Sequence, residues 1–350
     1  MRILVVGAGA IGTYLGVSLS TTGVSISYLE DSEAAKRVSN LPFIVQSQRE
    51  EIRQETPVIY TSFAQAFNNQ NYDVILLAVK AFHISNVIRD LKPFKSHFLA
   101  LASVQNGVET EPALKKAFPD KQIIAISLTT AVTRMSPGIV RPEIVRGIGV
   151  DVTCPIGYNL FELINRTDLR PKPVNKPRAM KWSKMVTNIF ANASSAILDL
   201  PPSAIYADNR LFKIEREQVV EAIKVMKAEK ITLIDLPGIP VRLLVFLFTN
   251  IPLGVSQFLL SRILGSGRGE KMPSFHIDLS GGNKENEVEY LNGAICRKAV
   301  DNKIHAPVNQ VLWDTLMNIV RGDIAWKTYQ KNPEMLIREI NKEKSKKYSN

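Results

Sequence analysis

Cysteine is close to absent: the 350 residues hold two, Cys154 and Cys296, with no C-x-x-C pair. Two thiols make neither a disulfide framework nor a cysteine-built zinc site, and so low a content fits a reducing compartment. Histidine is scarce too. His83, His97, His276 and His305 show no ligand spacing such as H-E-x-x-H, so no metal site is expected. An apolar leader is also missing. Met1-Arg2 runs straight into Ile3-Leu4-Val5-Val6-Gly7 with no small-residue cleavage site, and a cytoplasmic protein is expected. Residues 243–261 carry no charge and approach the length that spans a bilayer. Asn250, Pro252, Gly254, Ser256 and Gln257 interrupt them, however, and Pro252 should kink or end a helix. A buried helix pair is the expectation there, with no membrane attachment.

Acidic residues are outnumbered, 33 against 44 Lys and Arg, for a net charge of +11. The excess is scattered. Its only dense run, Lys342-Glu343-Lys344-Ser345-Lys346-Lys347, reads as a solvated terminus, so nucleic acid is not an expected partner. Apolar residues at 45% and charged residues at 22% are the proportions of a globular chain, long enough for two domains with a core each.

What is present comes first as alternation. Residues 3–6, 24–29, 74–79, 98–103 and 123–129 read as strands, with helices at 11–21 and 84–91 among them. Strands alternating with helices predict an α/β domain, a doubly wound Rossmann-type sheet covered on both faces. Pro171, Pro173 and Pro177 then crowd one short stretch, which predicts a linker, because proline disfavours helix and ladder alike. Beyond it, residues 178–198, 205–234, 241–264 and 286–302 read as helical. The expected plan is a dinucleotide-binding domain over 1–170, a linker at 171–177, an all-helical catalytic domain over 178–335 and a basic tail at 336–350.

Gly7-Ala8-Gly9-Ala10-Ile11-Gly12 is G-x-G-x-x-G between the first strand and the first helix. Gly7 permits the tight turn, Gly9 lets a pyrophosphate approach the backbone, and Gly12 lets helix and strand pack closely. The phosphates would meet the free N–H groups of the helix N-terminus. The second strand ends in Glu30-Asp31, where a carboxylate can accept from adenosine ribose hydroxyls and repel a 2′-phosphate. That favours NAD over NADP. Lys36 and Arg37 nearby soften the preference, and either acid could instead cap the next helix.

In the helical half, Lys184, Asn188 and Asn192 stand at i, i+4 and i+8 among Met185, Val186, Ile189 and Phe190. At 100° per residue they fall within about an 80° arc, one face over two turns. Buried amides need partners, so the bland alternative is a structural polar network. The chemical one is ketone reduction, in which an ammonium donates the proton that the developing alkoxide requires.

The glycine motif, Val79-Lys80-Ala81-Phe82, Gln105-Asn106-Gly107, Trp182-Ser183-Lys184 through Asn188 and Asn192, Pro273-Ser274 through Glu287, and Asn292-Gly293 occur in this order over residues 1 to about 310. Together they resemble the 2-dehydropantoate 2-reductase (ketopantoate reductase) family. The resemblance implies reduction of a 2-oxo acid by a nicotinamide cofactor, first of all ketopantoate to pantoate in pantothenate biosynthesis. It makes Lys184 the general acid and Glu287 the carboxylate that contacts substrate and orients the lysine. Asn188 and Asn192 would hold substrate polar groups, and Ser274 the substrate carboxylate. Asn106 would bind both substrate and cofactor, and Lys80 would lie beside the cofactor, with Gly7, Gly9, Ala10, Ile11, Gly12, Glu30 and Asp31. The same chemistry on another 2-oxo acid stays open, as does a non-catalytic nucleotide-binding protein, and a homodimer is left open.

Three departures stand out. Asp31 occupies the place where the family usually has an arginine for the NADP 2′-phosphate. Asn192-Ala193-Ser194-Ser195-Ala196 stands where the family commonly has Asn-Pro-Leu-Thr-Ala. The apolar segment at 241–264 is longer than in compact members, and it lies between the Lys184 helix and Ser274.

Overall fold

The computed structural model describes residues 1–47, 50–68, 70–268 and 271–346. The chain divides into two units, Met1–Lys181 with Leu236–Ile239, and Trp182–Asp235 with Pro240–Asn350. The division falls inside one helix, Pro177–Ile189.

All strands among the described residues belong to the first unit. In chain order they are β1 (Arg2–Val6), β2 (Ser25–Leu29), β3 (Phe43–Gln46), β4 (Glu51–Gln54), β5 (Val58–Tyr60), β6 (Tyr72–Leu77), β7 (Phe98–Ser103), β8 (Gln122–Leu128), β9 (Val132–Ser136), β10 (Ile139–Pro142), β11 (Ile148–Asp151) and β12 (Pro171–Val174). The main sheet has the order β12-β11-β8-β7-β6-β1-β2-β5, parallel from β8 to β5. β11 turns antiparallel to β8.

Side chains alternate across this sheet. Ile3 and Val5 share one face with Val74, Leu76, Ala100 and Ile124, while Leu4 and Val6 share the other with Ile75, Leu77 and Leu101. Both faces are buried, which is why these strands read as unbroken apolar runs rather than as apolar-polar alternation. Helix Ala10–Ser20 covers the first face through Tyr14, Leu15, Val17 and Leu19. Helices Ile84–Leu91 and Thr110–Ala117 cover the second through Ile84, Val87, Leu91 and Leu114. The strand order reverses at β1, with β2 and β5 on one side and β6 to β8 on the other. Such a switch point opens a crevice at the carboxyl ends of the strands.

A second sheet, β4-β3-β10-β9, was not expected from the sequence. Its strands have four or five residues, too short for their periodicity to be read. The expected linker at 171–177 is also corrected, because Pro171 and Pro173 lie inside β12. They are tolerated there because β12 is an edge strand that serves β11 through its carbonyls. Ile148 N–H donates to Arg170 O (3.3 Å) and Val152 N–H to Val174 O (3.2 Å).

The second unit is helical. The expected helix at 178–198 is two, Pro177–Ile189 and Ala193–Leu198, with Ala191 between them at φ 46°. The stretch at 205–234 breaks at Asp208, whose carboxylate caps Asn209–Ala228 by accepting from the N–H groups of Arg210 and Leu211. The apolar segment at 241–264 splits at Pro252 into Val241–Asn250 and Leu253–Arg268. Its inner face packs Phe248 between Phe190 and Phe212, at ring distances of 4.7 and 5.7 Å. Leu243, Phe246, Val255 and Phe258 stay about half exposed, so the pair is buried on one side only. Among the described residues no helix is long and apolar enough to cross a membrane. The expected basic tail is a packed helix, Pro333–Ser345, which buries Leu336 and Ile340 and pairs Lys344 with Glu217. Residues 347–350 of that tail lie outside the described residues.

Candidate active site

In the first unit the glycine turn leaves the end of β1. Gly7 takes φ 97°, and a Cβ on it would sit 2.9 Å from the Val79 side chain. A Cβ on Gly12 would lie 1.8 Å from the Gly7 carbonyl, so helix and turn approach as closely as only glycine allows. Gly9 differs, since a Cβ there would meet nothing within 4 Å. No packing contact explains this glycine, and the half-buried stretch Gly9-Ala10-Ile11 is the open part of the turn. Helix Ala10–Ser20 begins there with no side-chain cap and no acid in its first turn. A cradle that a side chain would fill, facing uncapped N–H groups, fits a pyrophosphate.

Glu30 and Asp31 separate in role. The Glu30 carboxylate reaches the turn and accepts from Ala8 N–H (2.6 Å) and Asp31 N–H (3.1 Å). Burial pushes its carboxyl up, against the pull of those two N–H groups. Asp31 is exposed and caps helix Ser32–Val38, accepting from the N–H groups of Glu33 (3.0 Å) and Ala34 (2.9 Å), bonds that hold its carboxyl below the usual range. Of the nearby cations, Arg37 pairs with Glu33 at 3.6 Å.

Beside the turn, exposed Lys80 follows β6 and precedes a short 3-10 helix, Ala81–His83. Buried Gln105 clamps this loop, its amide donating to Leu77 O (2.7 Å) and Val79 O (2.9 Å). Asn106 follows, half-buried, before Gly107 at φ 91°. Sequence reasoning missed what lies beneath. Lys181 is 4% exposed, donates to the Gln105 carbonyl (2.5 Å) and pairs with Glu111 at 2.9 Å, and Ser103 Oγ reaches the same carboxylate at 2.8 Å. In sequence Lys181 is one more helical lysine, and no spacing signals its partner.

In the second unit, every residue from Trp182 to Leu198 is buried except two, Lys184 and Asn188, which are half-buried. Two polar side chains one turn apart are thus the only openings in that stretch. Asn192 is buried and fully engaged. Its Nδ2 donates to Asn188 O (3.0 Å) and Ser274 Oγ (3.4 Å), and its Oδ1 accepts from Phe275 N–H (3.1 Å). The Phe275 carbonyl in turn accepts from Asn286 Nδ2 (3.0 Å), and Asn286 Oδ1 caps the 3-10 helix Glu287–Tyr290 through Val288 N–H (3.0 Å). Asn192 thereby ties Asn188, Ser274 and Phe275 together, and the Phe275 backbone leads on through Asn286 to the backbone that carries Glu287. Glu287 is 4% exposed, whereas an acidic run at 285–289 alone suggests a solvated turn. Glu289 is structural, since it pairs with Arg297 (2.6 Å) and accepts from Trp313 Nε1 (2.9 Å). A Cβ on Gly293 would lie 2.9 Å from that indole, which accounts for the glycine of Asn292-Gly293. Asn286 carries no sequence signal beyond its place before Glu287. Among the described residues no group of His, Cys, Asp and Glu could hold a metal ion.

Residues 3–147 match the family described as "Ketopantoate reductase PanE/ApbA", and residues 177–320 match "Ketopantoate reductase PanE/ApbA C terminal". The chain belongs to the ketopantoate reductase family. It is accordingly an oxidoreductase. Among its relatives, the 2-dehydropantoate 2-reductase of Pyrococcus horikoshii is 25% identical over 319 residues, covering 89% of this chain and 95% of that protein. The crystal structure of a PanE/ApbA family ketopantoate reductase from Ralstonia eutropha JMP134 superposes with a TM-score of 0.76 at 22% identity, over 92% of this chain and 99% of that one. D-Mandelate dehydrogenase, solved with NADH and anilino(oxo)acetate, has the same fold with a TM-score of 0.73 at 19% identity, over 92% and 99%.

Proposed function

We propose that the protein reduces a 2-oxo acid to the 2-hydroxy acid, with ketopantoate as substrate and NADH as the preferred reductant. The observation that carries this reading is the pair Lys184 and Asn188, the only openings in an otherwise buried stretch from Trp182 to Leu198. A lysine and an amide that stay half-buried there, one turn apart, can present a proton donor and a second N–H donor to one ketone oxygen. When bound, a reduced nicotinamide supplies the hydride that goes to C2 of the oxo acid.

The chain's own residues do the rest. Lys184 Nζ gives a proton to the C2 oxygen as the carbonyl π pair moves onto it, leaving a neutral amine that solvent reprotonates. Asn188 donates to the substrate, and the Ser274 hydroxyl meets its carboxylate. Asn192 holds Ser274 in place, a change from the direct substrate contact that the resemblance implies. Glu287 is the carboxylate that contacts the substrate and orients Lys184. In the other unit, Gly7, Gly9, Ala10, Ile11 and Gly12 hold the pyrophosphate, and Lys80 and Asn106 flank the nicotinamide end. Glu30 takes the ribose hydroxyls and disfavours a 2′-phosphate by like charge, while Asp31 shapes that end as a helix cap.

Steady-state rates on a panel of 2-oxo acids, each with NADH and NADPH, test the proposal. The panel includes ketopantoate and the 2-oxo acid corresponding to mandelate. The expected result is the highest kcat/KM for ketopantoate with NADH. A much better turnover of another oxo acid rejects the substrate, and preference for NADPH rejects the role of Glu30.

A further inference from the structure

The break between Asn188 and Asn192 has no local cause. Phe190-Ala191-Asn192-Ala193 contains neither proline nor glycine, yet helix Pro177–Ile189 stops and Ala191 adopts φ 46°, a left-handed conformation that residues with a Cβ rarely take. Something outside the segment must impose it. One turn of the neighbouring helix Asn209–Ala228 does so. The Glu215 carboxylate, fully buried, accepts from Ala191 N–H (2.7 Å) and from Ser194 Oγ (2.6 Å). Gln218, three residues on, donates to Ile189 O (3.2 Å) and to Glu215 Oε2 (2.5 Å). The broken helix leaves the Ala191 N–H without a helical acceptor, which Glu215 supplies where water cannot reach, while Gln218 adds a second donor to the Ile189 carbonyl, which also accepts from Asn192 N–H (3.3 Å). Gln218 is itself held, its Oε1 accepting from Asn292 Nδ2 (3.2 Å), which also donates to Asn309 Oδ1 (3.0 Å).

We propose that Glu215, with Gln218, is a positioning residue for substrate: it sets the bend that turns Asn192 toward Ser274 while Asn188 stays half-buried on the preceding helix. The effect on substrate rests on the function proposed above, whereas the effect on the backbone does not. Without the carboxylate, Ala191 relaxes toward helical values and continues the helix through Ile189. Asn192 then rotates off Phe275 N–H and releases Ser274. The direction of the effect is specific, because oxo acid binding weakens while the dinucleotide half is untouched.

Two variants and two readouts decide the matter. Glu215→Gln keeps an acceptor for Ala191 N–H and can accept or donate at Ser194, whereas Glu215→Leu keeps the volume and no acceptor. In Glu215→Leu, loss of such bonds raises KM for the oxo acid and the amide exchange rate of residues 189–196 by about tenfold each. KM for NADH should stay within about twofold of wild type, and Glu215→Gln should match wild type in both readouts, on the reasoning that only the acceptor matters. A folded Glu215→Leu with wild-type exchange at 189–196 overturns the proposal. So does a lowered melting temperature with both KM values unchanged, since that is a merely structural role. Should Glu215→Leu fail to fold, Gln218→Ala, which removes the side-chain donor shared by Ile189 O and Glu215, must raise exchange in the same segment, and unchanged exchange there refutes the idea. If the wild type turns over no 2-oxo acid, the proposed function falls, and the exchange contrast still decides whether Glu215 sets the bend.

Discussion

Replacing Lys181 by methionine isolates the buried ion pair beneath Gln105-Asn106. The side chain volume is kept, while Glu111 loses its cation at 2.9 Å and the Gln105 carbonyl loses its donor at 2.5 Å. Removing one partner of a buried pair costs about 3–5 kcal/mol, because the survivor is left charged and unmatched. Glu111 keeps 17% of its side-chain surface in contact with water against 4% for Lys181, which places the cost at the lower end, about 3 kcal/mol. For a unit of this size that is a fall in melting temperature of roughly 6–12 °C. The double variant Lys181→Met with Glu111→Met removes both charges. What remains unmet is the Gln105 carbonyl and one hydroxyl contact of Ser103, worth about 1 kcal/mol. The double variant should therefore be more stable than the single one by about 2 kcal/mol, whereas independent sites would make it less stable. Thermal and urea melts of the four proteins of the cycle measure this. A single variant within about 0.5 kcal/mol of wild type, or a double variant no more stable than the single, refutes the reasoning.

Lys184→Ala should lower kcat by about 10²–10⁴-fold, the usual worth of a positioned acid, with NADH affinity by fluorescence titration unchanged. Turnover near wild type removes Lys184 from the mechanism. Glu30→Gln should improve kcat/KM for NADPH relative to NADH by about tenfold, about 1.4 kcal/mol of relieved repulsion, and an unaltered ratio in paired assays shows that Glu30 does not face the ribose. Burial pushes the Glu215 carboxyl up to about 7 from 4.5, so between those values the folded state binds more protons than the unfolded state. Stability from this group is then complete at and below pH 4.5 and is lost as pH rises toward 7, by up to about 3 kcal/mol. Melts at pH 5 and pH 8 should show Glu215→Gln gaining on wild type at the higher value, and an equal difference at both pH values rejects a raised carboxyl.

The parts of the fold that were legible in the sequence are those where neighbours in sequence decide the structure. The β1 turn is an example, since the demand on Gly12 comes from the Gly7 carbonyl and that on Gly7 from the chain reversal at φ 97°, although distant Val79 crowds Gly7 as well. Spacing brought out Lys184 and Asn188, one turn apart on one helix, but it put Asn192 on the same face, whereas Asn192 lies beyond the break at Ala191. Segments decided by distant partners read wrongly. Pro171 and Pro173 suggest a linker until β11 supplies an edge that asks for their neighbours' carbonyls. Residues 178–198 suggest one helix until Glu215 takes the Ala191 N–H. Lys181 and Glu215 were invisible for a common physical reason. A charged residue on a helix is by default a solvated one, because desolvation is costly, and only the complete set of partners in three dimensions reverses that default. Both reversals occur beside candidate site residues, Lys181 at the carbonyl next to Asn106 and Glu215 at the amide next to Asn192. Buried charge in this chain is used to hold backbone in place where the amide side chains must not drift, and the same desolvation that makes it costly makes removal of one partner the sharpest way to loosen the site.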